Sequence, residues 1–238
     1  SGGKPVFGFV ALDVTVETRN PLTIHNGTEY NDRMVLLLLS SAGALLEPKF
    51  AIDSIIKQAF HSQPALVTAA DNTRIISIND MPAAAYLEQI GLIQNGVSEL
   101  LFAFPITVDG HDGSKPKICT SYAIDSDGSL ILGRSITEGS TLNIGTSTAE
   151  NVLITASRII SKTKTERNRN GLFIVACYSR NIVLLNPNDE MELVKKQMED
   201  SALPYIFLYA AGEICPEYDS TGGLYNQYHQ YSIISCIF

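Results

Sequence analysis

Short polar turns, set between apolar runs rich in β-branched residues, constrain this chain more than any other feature of its sequence. Runs 5–16, 22–25 and 33–40 carry Val, Leu, Ile, Phe and Thr, and Asn26-Gly27 falls between the second and the third. Asp71-Asn72-Thr73 separates 65–70 from 74–78, and Asp125-Ser126-Asp127-Gly128 separates 118–124 from 130–132. Asn and Asp beside Gly accept the left-handed backbone of a tight hairpin, so each turn returns the chain antiparallel to itself.

Between these hairpins the apolar period changes. Residues 50, 52, 55, 56, 59 and 60 are apolar, a spacing that predicts an amphipathic helix over 50–60. Asn79-Asp80-Met81-Pro82 reads as a helix start, with the helix running over 83–90 and stopping at Gly91, and a further helical stretch covers 97–102. Thr148 is placed to cap a helix over 149–165, and Pro187-Asn188-Asp189-Glu190 opens another that ends near Asp200. Runs 172–177 and 205–210 are strands, Leu142 and Ile144 mark one more, and 225–238 reads as one long closing strand. The expected class is α+β, with mainly antiparallel sheets and flanking helices. The best internal seam lies at 91–96, dividing the chain into 1–90 and 91–238.

With 45% of its 238 residues hydrophobic and 18% charged, the chain has material for a sizeable core and lacks the signature of a disordered tail. A net charge of -8 repels a phosphate backbone, and the basic segment 162–169 is read as a solvated helix end, so nucleic acid is not an expected partner. The most apolar stretch, 34–46, is interrupted by Ser40, Ser41 and Gly43 and is too short to span a bilayer. Four widely spaced cysteines without a CxxC pair are read as buried thiols in a reducing compartment, which places the chain in the cytoplasm.

Four distant histidines give no metal-ligand spacing, and the Asp125 turn lacks the later ligands of a calcium loop; no metal or cofactor is expected. The informative constellation is C-terminal. Arg180 follows the strand that ends at Cys177, Glu213 follows the strand 205–210, and Asn226-Gln227 opens the last strand after Gly222-Gly223. Gathered at one edge, a guanidinium, a carboxylate and two amides can fix a small zwitterion, with Arg180 forking its carboxylate and Glu213 facing its ammonium. An Arg180–Glu213 salt bridge that only locks two loops is the alternative.

Gly128-Ser129-Leu130, Glu138-Gly139-Ser140, Cys177 with Arg180, Gly212-Glu213-Ile214 and Asn226-Gln227 occur in the order found in the FIST_C domain, which this chain resembles. Residues 67–83 resemble the junction between FIST_N and FIST_C, and Phe7-Gly8-Phe9 with Asn26-Gly27 resemble the last strands of FIST_N. The resemblance implies an intracellular sensory domain for a small polar metabolite such as an amino acid, coupled to a signalling output. It implies a site of Cys177, Arg180, Glu213, Asn226 and Gln227 and no enzymatic activity of its own. Two other readings stand beside it. One is a hydrolase using Cys177 or Cys215, for which His229 is the nearest histidine to Cys215; the other is a ligand-free interaction scaffold.

Overall fold

The computed structural model describes residues 4–11, 22–31, 34–35, 48–55, 58–59, 63–94, 101–113, 115–166, 170–199, 201–219 and 221–238. It is α+β with mostly antiparallel sheets.

The turns act as their residues dictate. Asn26 and Gly27 take φ of 52° and 76° between strands Leu22–His25 and Thr28–Asn31. Asn72 takes φ of 52° between Ala65–Asp71 and Arg74–Ile78. Gly128, at φ 82°, closes the turn between Ser121–Ile124 and Leu130–Leu132, where Arg74 holds Asp125 and Asp127 at 3.3 and 2.5 Å.

The largest sheet runs from Lys117–Cys119 through Ile106–Asp109, Thr141–Thr146, Ala65–Asp71, Arg74–Ile78 and Leu130–Leu132 to Ser121–Ile124. Its two outer strands are consecutive pieces of one segment joined at Thr120, so the sheet comes round on itself like a barrel. Strands from both sides of residue 91 interleave in it: Leu130 lies opposite Ile75, and Leu142 opposite Ala65. Inside pack Val67, Ile75, Ile106, Leu130, Leu132 and Leu142. Helix α1, Ala83–Gln89, adds Ala83, Tyr86 and Leu87 to that core and ends at Gly91, whose φ is 76°. Pro82, whose ring carries no polar atom, stands at its N-cap without a side-chain bond, and the Asn79 amide oxygen accepts from Leu66 N at 2.8 Å rather than capping the helix.

A second sheet orders Tyr205–Ala210, Leu172–Cys177, Ser232–Ile237 and Lys49–Ser54, with the first two parallel. Helix α2, Ala149–Thr165, lies on one face, with Thr148 Oγ1 accepting from Asn151 N at 3.2 Å as its cap. Helix α3, Tyr178–Val183, and helix α4, Asp189–Met198, fill the crossover between the parallel strands. Ile159, Ile160, Ile174, Val194 and Ile233 form the core under these helices. The opposite face packs against a three-stranded sheet of Gly8–Val10, Gly212–Tyr218 and Leu224–His229, through Val175, Cys215 and Ile234.

Two expectations from the apolar pattern are corrected. Residues 49–54 are a strand rather than the start of a helix: Phe50 and Ile52 face the three-stranded sheet while Ala51 packs under the helices. Apolar residues at 50 and 52 suit either period, and pairing with Ser232–Ile237 decides between them. Of the rest of that pattern, Ile55 is buried after the strand and Ala59 pairs with Gly145 in a two-residue strand, whereas residues 56 and 60 lie outside the described residues. The closing segment is two strands in different sheets, broken at Gln230-Tyr231, where Tyr231 takes φ of 55°. Of the predicted run 5–16, Gly8–Val10 is a strand and 12–16 lie outside the described residues, as do most of 33–40 and of the helix over 97–102; 101–103 is a short 3-10 turn.

Candidate functional site

Cys177, Arg180 and Glu213 do come together, in the protein interior rather than at an open edge. Cys177 ends a strand whose last four residues are buried, and the chain turns directly into α3, so Arg180 is helical and wholly buried instead of emerging on a loop. Its Nη2 and Nε donate to Glu190 Oε1 at 2.5 and 3.0 Å. Nη2 also donates to Val152 O at 2.9 Å and to Thr155 Oγ1 at 3.0 Å. Tyr209 Oη donates to the other Glu190 oxygen at 3.0 Å. One guanidinium thus ties α2, α3 and α4 together. The ion-pair partner of Arg180 is Glu190 and not Glu213.

Glu213 is equally buried and accepts from Ser232 Oγ at 2.5 Å. Burial raises its carboxyl well above the ordinary range; the Ser232 bond, the Arg180 charge and the Cys177 thiol oppose that rise, and Glu190 adds to it. The Cys177 thiol donates to Ser179 Oγ at 3.5 Å, and burial beside Glu213 pushes it up to about 12. Burial likewise pushes Cys215 up to about 12. Both thiols therefore stay protonated at neutral pH. Arg180 Nη1 and Glu213 Oε1 have no hydrogen-bond partner among the described residues.

Asn226 and Gln227 lie elsewhere. Asn226 is exposed and pins the N-terminal segment, accepting from Val6 N at 2.8 Å and donating to Lys4 O at 3.0 Å. Gln227 faces a cleft of about 260 Å³ between the Gly212–Tyr218/Leu224–His229 hairpin and the strand Lys117–Cys119.

The charges of that cleft do not balance. Glu217 is engaged by Lys115 Nζ at 3.4 Å, by Tyr225 Oη at 3.0 Å and by His229 Nε2, which lies 3.3 Å away without the alignment of a hydrogen bond. Burial lowers the His229 imidazole below its ordinary range, Glu217 opposing and the Arg134 charge adding to the effect. Arg134 donates to Tyr228 O at 2.9 Å and lies 5.8 Å from the Tyr228 ring centroid. Neither Arg134 nor Lys117 has a carboxylate partner among the described residues. Two cations are thus left to face the cleft.

Gln230 belongs both to this cleft and to the interior. Its Oε1 accepts from Thr120 N at 3.0 Å, and its Nε2 donates to Tyr122 Oη at 3.1 Å and Tyr228 Oη at 3.2 Å. Thr120 Oγ1 lies 3.3 Å from Ser179 Oγ, which takes the Cys177 thiol bond. A continuous polar path therefore runs from the cleft floor to Ser179 at the start of α3, next in sequence to the arginine. Only bare backbone permits this packing at Gly133, where a Cβ would stand 2.2 Å from Gln230 Nε2.

Residue types and the resemblance pointed to Cys177, Arg180, Glu213, Asn226 and Gln227, of which the first three meet in the interior, Gln227 lines the cleft and Asn226 lies apart. They missed Glu190, read only as part of a helix start, and Arg134, Lys117 and Gln230, which carry no motif and meet only through the barrel-like closure at Thr120. Among the described residues no group of His, Cys, Asp or Glu could hold a metal ion, and no helix is long and apolar enough to cross a membrane.

The described residues thus hold a charged cleft beside a buried ionic junction on an antiparallel α+β frame. The sequence profile of the FIST C domain matches residues 82–216, more than half of the chain, and the chain belongs to that family of signal-transduction sensory domains. Neither the comparison with curated proteins nor that with solved structures returned a match.

Proposed function

We propose that this chain senses a small polar metabolite of amino-acid type in the Arg134 cleft and relays its occupancy to a signalling output domain or protein. The observation that carries the reading is the pair of uncompensated cations, Arg134 and Lys117, facing a cleft whose floor residue Gln230 continues by hydrogen bonds to α3. A ligand carboxylate takes the Arg134 fork. Glu217, and the amides of Gln227 and Gln230, meet the ammonium and polar side of the ligand. In this reading Cys177, Arg180 and Glu213 form the buried body of the site, and Asn226, beside Gln227, ties the cleft's hairpin to residues 4–6. The cytoplasm suits four buried free thiols.

A signal requires that the ligand bind one arrangement of these elements more tightly than another. The test is a thermal-melt screen against the free amino acids and their decarboxylated amines. A ligand at one hundred times its dissociation constant adds about 2.7 kcal/mol of stability. The expected result is a selective shift that needs the carboxylate and is lost in Arg134→Ala when each melt is referred to the unliganded melt of the same protein. A shift that survives Arg134→Ala, or equal shifts from the amines, defeats the assignment.

A further inference from the structure

A second cavity, of about 330 Å³, lies between α1 and the turn Asn79-Asp80. Gln63, Asn79, Met81, Tyr86, Gln89 and Ile90 line it together with Pro64, and none of these side chains is charged. Tyr86 is buried over its ring, and its hydroxyl, which makes no hydrogen bond among the described residues, is not itself buried and opens on the cavity. Burial raises the phenol above its ordinary value, so it is a neutral donor and acceptor.

The opposite wall is held firmly. Asn79 and Asp80 both take left-handed backbone, with φ of 49° and 62°, between strands Arg74–Ile78 and Met81–Pro82. The Asn79 oxygen is used by Leu66 N at 2.8 Å, and Asp80 N donates to Thr68 Oγ1 at 3.0 Å. That fixes the Asn79 amide with its oxygen engaged and its NH₂ available. Asn does tolerate φ above zero, but two such residues in succession persist only where the surroundings impose them.

We propose that this cavity is a second ligand site, specific for a small uncharged carboxamide or lactam. A charged ligand would lose its water without gaining a counter-charge, whereas an amide edge offers a donor and an acceptor side by side. The Tyr86 hydroxyl and the Asn79 and Gln89 amides complement such an edge, and Met81, Ile90 and Pro64 take an apolar face. This site shares no lining residue with the Arg134 cleft and stands or falls apart from it.

The experiment is saturation-transfer NMR with four probes at millimolar concentration: nicotinamide and uracil, and their carboxylated counterparts nicotinate and orotate. The neutral pair should bind and the carboxylated pair should be weaker by on the order of tenfold, the effect of one unpaired buried polar group. Tyr86→Phe, which removes a single oxygen, should weaken nicotinamide and uracil by a similar factor, as should Gln89→Ala on the exposed side of α1. Arg134→Ala should leave both unchanged. No transfer from either neutral probe, equal binding of the carboxylated pair, or wild-type affinity in both Tyr86→Phe and Gln89→Ala overturns the proposal. So does loss of binding in Arg134→Ala.

Discussion

Replacing Glu190 by Ala tests whether the buried junction holds the helices in place. The substitution leaves the Arg180 guanidinium at 0% exposure with no countercharge. Deleting one member of a buried ion pair costs about 3–5 kcal/mol, because the survivor is desolvated and unpaired. The Tyr209 hydroxyl also loses its acceptor, adding about 1 kcal/mol. A total of about 4–6 kcal/mol is set against a whole-domain stability of about 5–15 kcal/mol. With a urea dependence of about 2–3 kcal/mol per molar, the unfolding midpoint should fall by roughly 2 M, read by far-UV circular dichroism. The double variant Arg180→Met/Glu190→Met removes both charges while keeping chain length, so it should recover most of that loss. Arg180→Met alone should cost less than Glu190→Ala, since an isolated buried carboxyl can take up a proton and an isolated guanidinium cannot give one up. A loss below about 1 kcal/mol in Glu190→Ala, or a double variant equal to the sum of its singles, refutes the reasoning.

Glu213, its carboxyl raised by burial, gives stability that is complete below its ordinary value of 4.5 and is lost as pH rises toward its folded value. Glu213→Gln should therefore flatten the decline in melting temperature above that pH; an unchanged slope would show that Glu213 titrates normally. His229 has the opposite sign: lowered by burial, it favours the fold above pH 6.5 and withdraws that support as pH falls below it. His229→Gln should thus reduce the acid sensitivity of the melt just below that pH. Cys177 and Cys215, buried and pushed up to about 12, should react with iodoacetamide at neutral pH far more slowly in native than in urea-unfolded protein. Rapid labelling of one native site would revive the hydrolase reading. Gly133→Ala drives a methyl into Gln230 and should cost about 1–3 kcal/mol by overpacking, measured by urea unfolding.

The parts of the fold legible in the sequence are those whose information is local. Thr148 caps α2 as its side chain requires, and the turns at Asn26-Gly27, Asn72 and Gly128 follow from residues that accept positive φ. The strands Leu172–Cys177 and Tyr205–Ala210 have the bounds of their apolar runs. What failed was long-range. Lys49–Ser54 becomes a strand because Ser232–Ile237, almost two hundred residues away, pairs with it. The break at Gln230-Tyr231 has no Gly or Pro to announce it, and Tyr231 holds its φ of 55° while buried to 0% exposure, so packing rather than preference sets it. The site divides in the same way. Cys177 and Arg180 are near in sequence and stay near, whereas Arg180 meets Glu190 only because α3 and α4 fold back within one crossover.

The proposed relay makes a stricter demand than ligand binding, because the cleft and the helix junction must be coupled in energy as well as in space. The polar path gives that coupling a route: Gln230 to Thr120, Thr120 to Ser179, and Ser179 to Cys177 beside Glu213. Arg180 Nη1 and Glu213 Oε1, both buried and without partners among the described residues, leave the junction short of full satisfaction. Each unpaired buried group costs about 1–3 kcal/mol in this arrangement, so a ligand-bound arrangement that paired them would be favoured by that amount. The decisive measurement is a double-mutant cycle between Gln230→Ala in the cleft and Glu213→Gln in the junction, on urea unfolding. Residues joined through one hydrogen-bond network show interaction energies of about 0.5–3 kcal/mol, whereas independent sites add to within about 0.3–0.5 kcal/mol. A coupling above that range places cleft and helices in one cooperative unit through which occupancy can act on an output. Additivity would break the route at Thr120–Ser179, leaving a binding cleft with no means of moving the helices that a partner would read.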